Sequence, residues 1–332
     1  LDETKDYFPL SVEFVDKLYA GGLIKGGKWI KRETGISDTA VLYGRIIDRA
    51  IRPLFPKDFH HEVQVIATVL SNDKENDVVL PAFLATSLAL SISDIPFNSP
   101  VSICRVGLKQ GNLIVAPGLK DQAASDLDLL VCTDSQGVNM IEAGANIVSN
   151  ETVLEAIKLA SDVSQQINQQ IVDFTKQFGR PKIAYQPFSP DAKLFDDLSQ
   201  KIKSDIVDFL ENGADGKHVL VEAQIKDKVK DLYRQQIDNK ELNENILMMA
   251  LDDLLCRSFR QHTLTSQSRY DRRRFDEIRP LSIEAGVLPC THGSAKFQRG
   301  LTQAVTVVTL GSLAEKQYLQ DSLGEVTKRY LH

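Results

Sequence analysis

Residues 38–56 read DTAVLYGRIIDRAIRPLFP. Apolar side chains recur there at helical spacing, at Tyr43, Ile46, Ile47 and Ala50. Another face of the same period carries three basic residues, Arg45, Arg49 and Arg52. Asp38 is a suitable N-cap and Pro53 is a suitable stop. The stretch therefore predicts an amphipathic helix over residues 38–51, with an apolar face and an arginine face.

The arginine face belongs to a locally basic segment. Between Lys25 and Lys57 the chain has eight basic and three acidic residues, although its overall net charge is −6. Trp29, Lys31 and Arg32 lie in a glycine-rich part of this segment. Such side chains suit single-stranded nucleic acid, because base stacking and phosphate neutralisation tolerate any sequence. The alternative is a solvated helix face whose arginines pair with nearby acids, and the pattern alone leaves both interpretations open.

The composition is that of a globular protein with more than one domain. Of the 332 residues, 42% are hydrophobic and 25% are charged, which excludes a disordered, collagen-like or disulfide-scaffold chain. At about 150 residues per domain, two or three domains are expected. The four widely spaced cysteines predict neither a zinc site nor a disulfide framework. The apolar runs are too short for a membrane span. Because the chain starts at Leu1, without an initiator methionine, we expect an internal fragment.

The pattern of predicted elements changes twice along the chain. In the first half, strands are predicted at 8–15, 63–70, 101–107, 112–115, 127–132 and 138–142, and helices at 38–51, 78–93 and 149–178. Three amphipathic helices follow, near 191–211, 217–237 and 240–262. Strand signals return at 278–284, 295–297 and 304–310. These changes predict three domains, at 1–178, 179–268 and 269–332.

Two further groups of residues were considered as sites. Four arginines cluster at Arg269, Arg272, Arg273 and Arg274, but neighbouring acids make a solvated linker the simpler interpretation. His292 and Ser294 resemble a catalytic pair, yet on a strand their backbones would stand roughly 6.6 Å apart, without a carboxylate to orient the histidine. No spacing of carboxylates or histidines is taken to predict a metal site within the chain.

Motifs that occur together in one known family are spread along most of the chain. In the first part they are Phe8-Pro9-Leu10, Tyr19-Ala20-Gly21-Gly22, Gly44 to Pro56, Glu62 to Ser71 and Ile95-Pro96-Phe97-Asn98. In the last part they are Gly286-Val287-Leu288-Pro289, Thr291 to Ala295 and Arg299 to Gln303. Together they resemble the polynucleotide phosphorylase family. The resemblance implies an α+β fold: a truncated ribonuclease PH-like core (ribosomal protein S5 domain 2-like), an all-helical linker domain and the first strands of a second core.

The resemblance also implies an activity. The family degrades single-stranded RNA from the 3′ end with inorganic phosphate, releases nucleoside diphosphates and runs the reaction in reverse as a nucleotidyltransferase. It implies a role in mRNA turnover, a homotrimeric ring, partners in an RNA-degradation complex and no membrane. The compartment implied is the bacterial cytoplasm, or an organelle. Mg²⁺ or Mn²⁺ is implied as cofactor, with ligands expected downstream of His332, so the fragment alone is expected to be inactive.

Individual residues are carried over from the family by position. Trp29, Lys31 and Arg32 match the loop that grips RNA at the central pore. The RNA path is implied to include Arg45, Arg49 and Arg52, with Arg52 ranked first. In the second core, the resemblance implies that Arg269 and Arg273 bind RNA. It also implies that Arg299 contacts the phosphate or the RNA end.

Three positions depart from the family pattern. Gly35 replaces an arginine that resembles a phosphate ligand, Arg272 replaces a glycine, and Cys290 stands where arginine is common. These departures motivate the alternative of a degenerate RNA-binding ring subunit without catalysis. A hydrolytic or scaffolding relative of the exosome type was also considered, and the helical insert between two core segments argues against it.

Overall fold

The computed structural model of the chain describes residues 7–24, 36–212, 218–269, 271 and 273–331. The chain divides into two compact units. The first unit comprises Tyr7–Gln186 and, from the far end of the chain, residues 316–331. The second comprises Pro187–Glu315. The three-domain division expected from the sequence remains a prediction.

The first unit mixes helices and strands in the order that the sequence predicts. Its strands are β1 (Leu10–Asp16), β2 (Val63–Val69), β3 (Ser102–Lys109), β4 (Asn112–Val115), β5 (Leu127–Thr133) and β6 (Val138–Ala145). Its helices are α1 (Asp38–Ile51), α2 (Val79–Ile92), α3 (Leu119–Ala123) and α4 (Asn150–Phe178). β1 and β2 pair in parallel, whereas the other four strands form an antiparallel sheet in the order β4-β3-β5-β6.

Alternation along the strands explains why the antiparallel sheet is covered on both faces. Successive side chains of a strand point to opposite faces. One face packs against α1 and α2 through Ile103, Leu130, Cys132 and Met140. The other packs against α4 through Cys104, Val106, Leu129 and Val131. The arginine-bearing helix α1 and the long helix α4 therefore lie on opposite sides of this sheet.

Helix α1 spans the predicted residues 38–51, but its N-cap lies one residue earlier than the sequence suggests. The N-cap is Ser37, whose hydroxyl accepts a hydrogen bond from the Ala40 amide at 3.1 Å, so Asp38 is the first helical residue. After Ile51 the chain continues as a 3-10 turn, Arg52–Leu54, that contains Pro53. Ile47, Ala50 and Ile51 are fully buried, which confirms the predicted apolar face.

The second unit begins with four helices, α5 (Ala192–Lys201), α6 (Lys203–Asn212), α7 (His218–Asp238) and α8 (Glu244–Ser266). The single helix predicted over 191–211 was wrong, because the chain breaks at Ile202 into α5 and α6. Ile202 is fully buried in the helical core together with Leu198, Val229 and Leu247. No helix among the described residues is both long enough and apolar enough to cross a membrane.

Three strands follow the helices, β7 (Leu281–Ala285), β8 (Gly293–Arg299) and β9 (Thr302–Val308). They form an antiparallel sheet in sequence order. The chain then returns to the first unit as a hairpin of β10 (Gln317–Asp321) and β11 (Gly324–Lys328). The sequence did not predict this return.

The structure divides the four cysteines into two classes. Cys104 and Cys132 are buried, whereas Cys256 and Cys290 are exposed. Burial raises the pKa of the Cys104 thiol to about 11 and raises that of Cys132 as well. Because the thiolate is the reactive form, we expect a disulfide reagent at pH 8 to titrate two thiols rapidly in the native chain and four in urea. Four rapid thiols in the native chain would contradict this packing.

Candidate functional site

A cleft of about 480 Å³ lies between α1 and the antiparallel sheet. Its charged and polar lining comes from α1 (Tyr43, Arg45 and Arg49), β3 (Arg105), β5 (Asp128) and β6 (Glu142). Three guanidinium groups and two carboxylates therefore face one cavity. This mixture is suited to a polyanion whose phosphates meet the cations while its sugar and base groups meet the acceptors.

The position of α1 depends on one glycine. A Cβ atom at Gly44 would lie 3.3 Å from the Val12 carbonyl oxygen of β1 and 3.6 Å from the Phe14 amide nitrogen. The missing side chain therefore lets the helix approach the strand closely. Phe14 and Tyr43 meet edge to face beside this contact, with ring centroids 5.2 Å apart. The helix is thus seated on β1, and its Arg45 and Arg49 line the cleft.

Arg45 and Arg49 are the exposed cations of the cleft. Arg45 makes no hydrogen bond or ion pair with any described residue. Arg49 donates to Glu142 across the cleft at 2.8 Å, with both side chains about half exposed. An ion pair this exposed contributes only about 0–1 kcal/mol, so a phosphate can displace the carboxylate. The structure therefore brings two of the predicted RNA-binding residues together in an accessible position.

Arg105 is the cleft residue that the sequence analysis missed. It is buried and forms ion pairs with Asp77 and, at 2.8 Å, with Asp128. Asp77 is itself buried and accepts the Val79 amide at the start of α2. The available signal was a single arginine in segment 101–108, whose other residues are uncharged and, apart from Ser102, not polar. Because Arg105 is committed to two carboxylates, it forms the floor of the cleft.

Tyr43 keeps its proton at neutral pH. Burial raises its pKa, the nearby Arg105 guanidinium lowers it, and the carboxylates of Asp321, Asp128 and Asp16 raise it again. The net direction is upward. The phenol therefore offers the cleft a neutral hydroxyl.

Arg52, the arginine ranked first from the sequence, lies outside the lining of the cleft. Its guanidinium pairs with Asp48 and donates to the carbonyl oxygens of Phe8 at 3.2 Å and Leu10 at 3.1 Å. The intervening Pro9 carbonyl accepts the Val63 amide of β2. Since alternate carbonyls of a strand point to opposite edges, Arg52 covers the outer edge at the start of β1.

We expect Arg52→Gln to lower the free energy of unfolding by about 1 kcal/mol, because two strand carbonyls lose their donor. The salt dependence of RNA binding should stay that of the parent chain. Arg52→Lys keeps the charge but cannot bridge both carbonyls, so it should lose similar stability. Urea unfolding and RNA titrations at several salt concentrations would check both variants. A weaker salt dependence with unchanged stability would instead make Arg52 a direct RNA contact.

The structure describes three of the remaining predicted site residues and leaves the other three outside its described ranges. Trp29, Lys31 and Arg32 lie outside the described residues. Arg269 donates to the Phe275 carbonyl at 2.8 Å, and Arg273 pairs with Asp271 at 2.7 Å. Arg299, at the end of β8, is exposed. Arg269 and Arg273 thus form a locally paired turn in the second unit, and the RNA contacts of all these residues stay predictions.

His292 and Ser294 have structural partners. The His292 ring nitrogen Nδ1 accepts the Leu310 amide at 2.8 Å. The Ser294 hydroxyl accepts the Leu288 amide at 2.9 Å, and Ser294 is buried. Both side chains therefore hold the backbone around β8, which removes the catalytic-pair interpretation.

The described residues were also compared with the metal requirement that the resemblance implies. Within the described ranges, no three histidine, cysteine, aspartate or glutamate side chains cluster as metal ligands. Asp77 and Asp128, the acids closest to the cleft floor, are committed to Arg105. These residues do not fit a divalent cation, and we assign no chemical step in the cleft to one.

Two segments of the first unit match models of known protein domains. Residues 2–96 match the model of the 3′ exoribonuclease family, domain 1, and residues 99–163 match domain 2 of that family. The first unit thus has the ribonuclease PH-like α+β fold, as the sequence predicted. Just under half of the chain is thus similar to the two domains of the 3′ exoribonuclease family.

Along nearly its whole length the chain is similar to polyribonucleotide nucleotidyltransferases. It is 40% identical over 355 residues to that of Caldicellulosiruptor saccharolyticus and 41% identical over 331 residues to that of Caldicellulosiruptor bescii. Each match covers 98% of this chain and 46% of the relative, so the chain spans about half the length of these relatives. Rice Rrp46 is a distant structural match, with a TM-score of 0.40 and 14% identity over 53% of this chain and 74% of the rice chain, too low to support an inference.

Proposed function

We propose that this chain is part of a polyribonucleotide nucleotidyltransferase that degrades single-stranded RNA from the 3′ end by phosphorolysis. The similarity at 40–41% identity across 98% of the chain carries the proposal. An oxygen of inorganic phosphate attacks the terminal phosphodiester phosphorus, and the bond from phosphorus to the 3′ oxygen breaks. The shortened RNA keeps that oxygen as a hydroxyl, and the terminal nucleotide leaves as a nucleoside diphosphate. The reverse reaction extends RNA.

Within this reaction we assign RNA binding to the first unit. Arg45 is accessible and free of described partners, and Arg49 is held only by an exposed ion pair. We propose that both neutralise RNA phosphates, a contact that any sequence can make. Arg105 at the floor of the cleft is committed to Asp77 and Asp128, whereas Arg52 supports β1. Trp29, Lys31, Arg32, Arg269, Arg273 and Arg299 complete the proposed set of contacts.

The remaining parts of the proposal follow the family resemblance of the sequence motifs. We expect a homotrimeric ring in a bacterial cytoplasm or an organelle, a role in mRNA turnover and partners in an RNA-degradation complex. Mg²⁺ or Mn²⁺ would stabilise charge that develops on the transferred phosphoryl group. We expect its ligands outside this chain, which by itself binds RNA without cleaving it.

A second candidate, an RNA-binding ring subunit without catalysis, has one observation in its favour. Glu142 and Asp128 face the same cleft as the arginines, and like charges would oppose a free phosphate ion bound there. The cleft is therefore better suited to a polynucleotide, bound through several contacts, than to inorganic phosphate.

Phosphorolysis of poly(A) tests the proposal. We expect the product of the complete gene to release ADP from poly(A) only when inorganic phosphate is present. The 332-residue chain alone should bind the polymer but release no ADP. Release of AMP in phosphate-free buffer would indicate hydrolysis and overturn the proposal. RNA binding without any released nucleotide from the complete product would favour the non-catalytic candidate.

A further inference from the structure

One residue in the turn of the β10–β11 hairpin is buried in the first unit. Ser322, the second residue of this turn, is 1% exposed. Its amide donates to the Asp16 carboxylate at 3.2 Å, and its hydroxyl accepts from the Asn72 side-chain amide at 2.8 Å. The Asn72 backbone amide in turn donates to the Ala20 carbonyl. The hairpin is therefore docked in a socket at the carboxyl ends of β1 and β2.

A glycine makes room for the docked turn. Gly21 is buried, and a Cβ atom at this position would overlap the Ser322 carbonyl oxygen. The backbone of Gly21 lies in a short 3-10 turn and has no positive φ, so alanine suits its local conformation. The requirement for glycine at this position thus comes from the hairpin.

A second contact joins the hairpin to α1. Lys328, the last residue of β11, pairs with Asp38, the first residue of α1, at 2.9 Å. The hairpin therefore contacts the strand on which α1 is seated, through Asp16, and also the N-terminus of α1, through an exposed ion pair that contributes only about 0–1 kcal/mol. Close packing at Gly44 and the contact between Phe14 and Tyr43 connect these two elements on the cleft side.

We infer that the β10–β11 hairpin is a brace that fixes α1 on β1 and so holds Arg45 and Arg49 in their RNA-binding arrangement. Gly21, Ser322, Asp38 and Lys328 are then positioning residues for RNA binding, although none of them lines the cleft. The inference rests on the proposed RNA binding by the arginine face.

Gly21→Ala tests the brace directly. It should speed hydrogen exchange at the Ser322 amide and weaken binding of a single-stranded oligo(A) about 5–10-fold, as expected if the competent arrangement falls to between about a fifth and a tenth of the population. The slope of log affinity against log salt should not change, because no cation has been removed. Gly293→Ala is the matched control, since a Cβ atom there meets only an ordinary contact with Val308 at 3.6 Å.

A charge exchange provides a second test in case Gly21→Ala fails to fold. Asp38→Lys alone places a lysine opposite Lys328, so the two cations repel each other and RNA binding should weaken. If only the overall charge of the chain mattered, the added positive charge would instead tighten RNA binding. Lys328→Glu alone should also weaken it. The double variant Asp38→Lys/Lys328→Glu has the parental net charge and a restored pair, so its affinity should return to within about 2-fold of the parent.

Each result bears on a different claim. Faster exchange at Ser322 with parental RNA affinity would overturn the brace, and so would tighter binding by Asp38→Lys. Parental exchange in Gly21→Ala would show that the turn is not docked as described, which also overturns it. Failure of the parent chain to bind oligo(A) at low salt would instead contradict the proposed RNA binding, whatever the exchange rates show.

Discussion

Replacing Arg105 by alanine should lower the free energy of unfolding of the first unit by about 3–5 kcal/mol. The substitution leaves Asp77 without its ion-pair partner while its side chain is 1% exposed, and an uncompensated buried charge is strongly destabilising. Asp128 loses less, because its side chain is 39% exposed and reaches water. Hydrogen exchange in urea, followed at the amides of β3 and β5, would measure the loss in this unit.

Two further variants separate the buried charge from the loss of side-chain volume. Asp77→Asn in the Arg105→Ala background removes the unpaired charge and keeps an oxygen for the Val79 amide, so part of the stability should return. Arg234→Ala removes an arginine from an exposed pair with Asp231 on α7 and should change stability by less than about 0.5 kcal/mol. A loss below 1 kcal/mol for Arg105→Ala would show that this network contributes little.

The double substitution Arg45→Ala/Arg49→Ala should weaken binding of single-stranded RNA about 25-fold at 0.1 M monovalent salt. Each phosphate contact to a single strand contributes about 0.7 to the slope of log affinity against log salt. Two lost contacts therefore reduce the slope by about 1.4. With equal affinities at 1 M salt, this slope difference makes the variant bind about 25-fold more weakly at 0.1 M. Fluorescence anisotropy of a labelled oligo(A) between 50 and 200 mM salt would measure both quantities.

The control for this prediction removes the same charge elsewhere. Arg234→Ala/Arg257→Ala takes two arginines from exposed pairs in the helical part of the second unit. Its salt slope should stay that of the parent. If both double variants lose affinity equally, overall charge rather than the cleft governs binding. An unchanged slope in Arg45→Ala/Arg49→Ala would exclude these arginines as phosphate contacts.

Local periodicity was sufficient to predict α1 and its two faces, because the spacing of apolar and basic residues is a property of the helix alone. The break at Ile202 was not predictable in this way, since neither glycine nor proline marks it and burial in the helical core accompanies it. Family motifs then supplied the fold class, which periodicity alone could not distinguish from other α+β arrangements.

The candidate site was predictable only in part. The sequence placed Arg45, Arg49 and Arg52 on one face, and the family resemblance ranked Arg52 first. It could not show that Arg52 meets the carbonyls of Phe8 and Leu10, because these lie more than forty residues earlier in the chain. Arg105 was missed for the same reason: its acidic partners are brought to it by tertiary structure, and only its place in an apolar strand marked it.

The docked hairpin has a consequence for biosynthesis. The Asp16 carboxylate accepts a hydrogen bond from the Ser322 amide, and these two residues are 306 positions apart in the chain. At a synthesis rate of about 5–20 residues per second, the ribosome needs roughly 15–60 s to make the intervening chain. The main segment of the first unit ends at Gln186, so it waits with an empty socket for roughly 7–27 s of that time, while the second unit is translated. During that interval the socket around Asp16 and Asn72 is accessible to chaperones. It is also accessible to the hairpin of a neighbouring nascent chain on the same messenger.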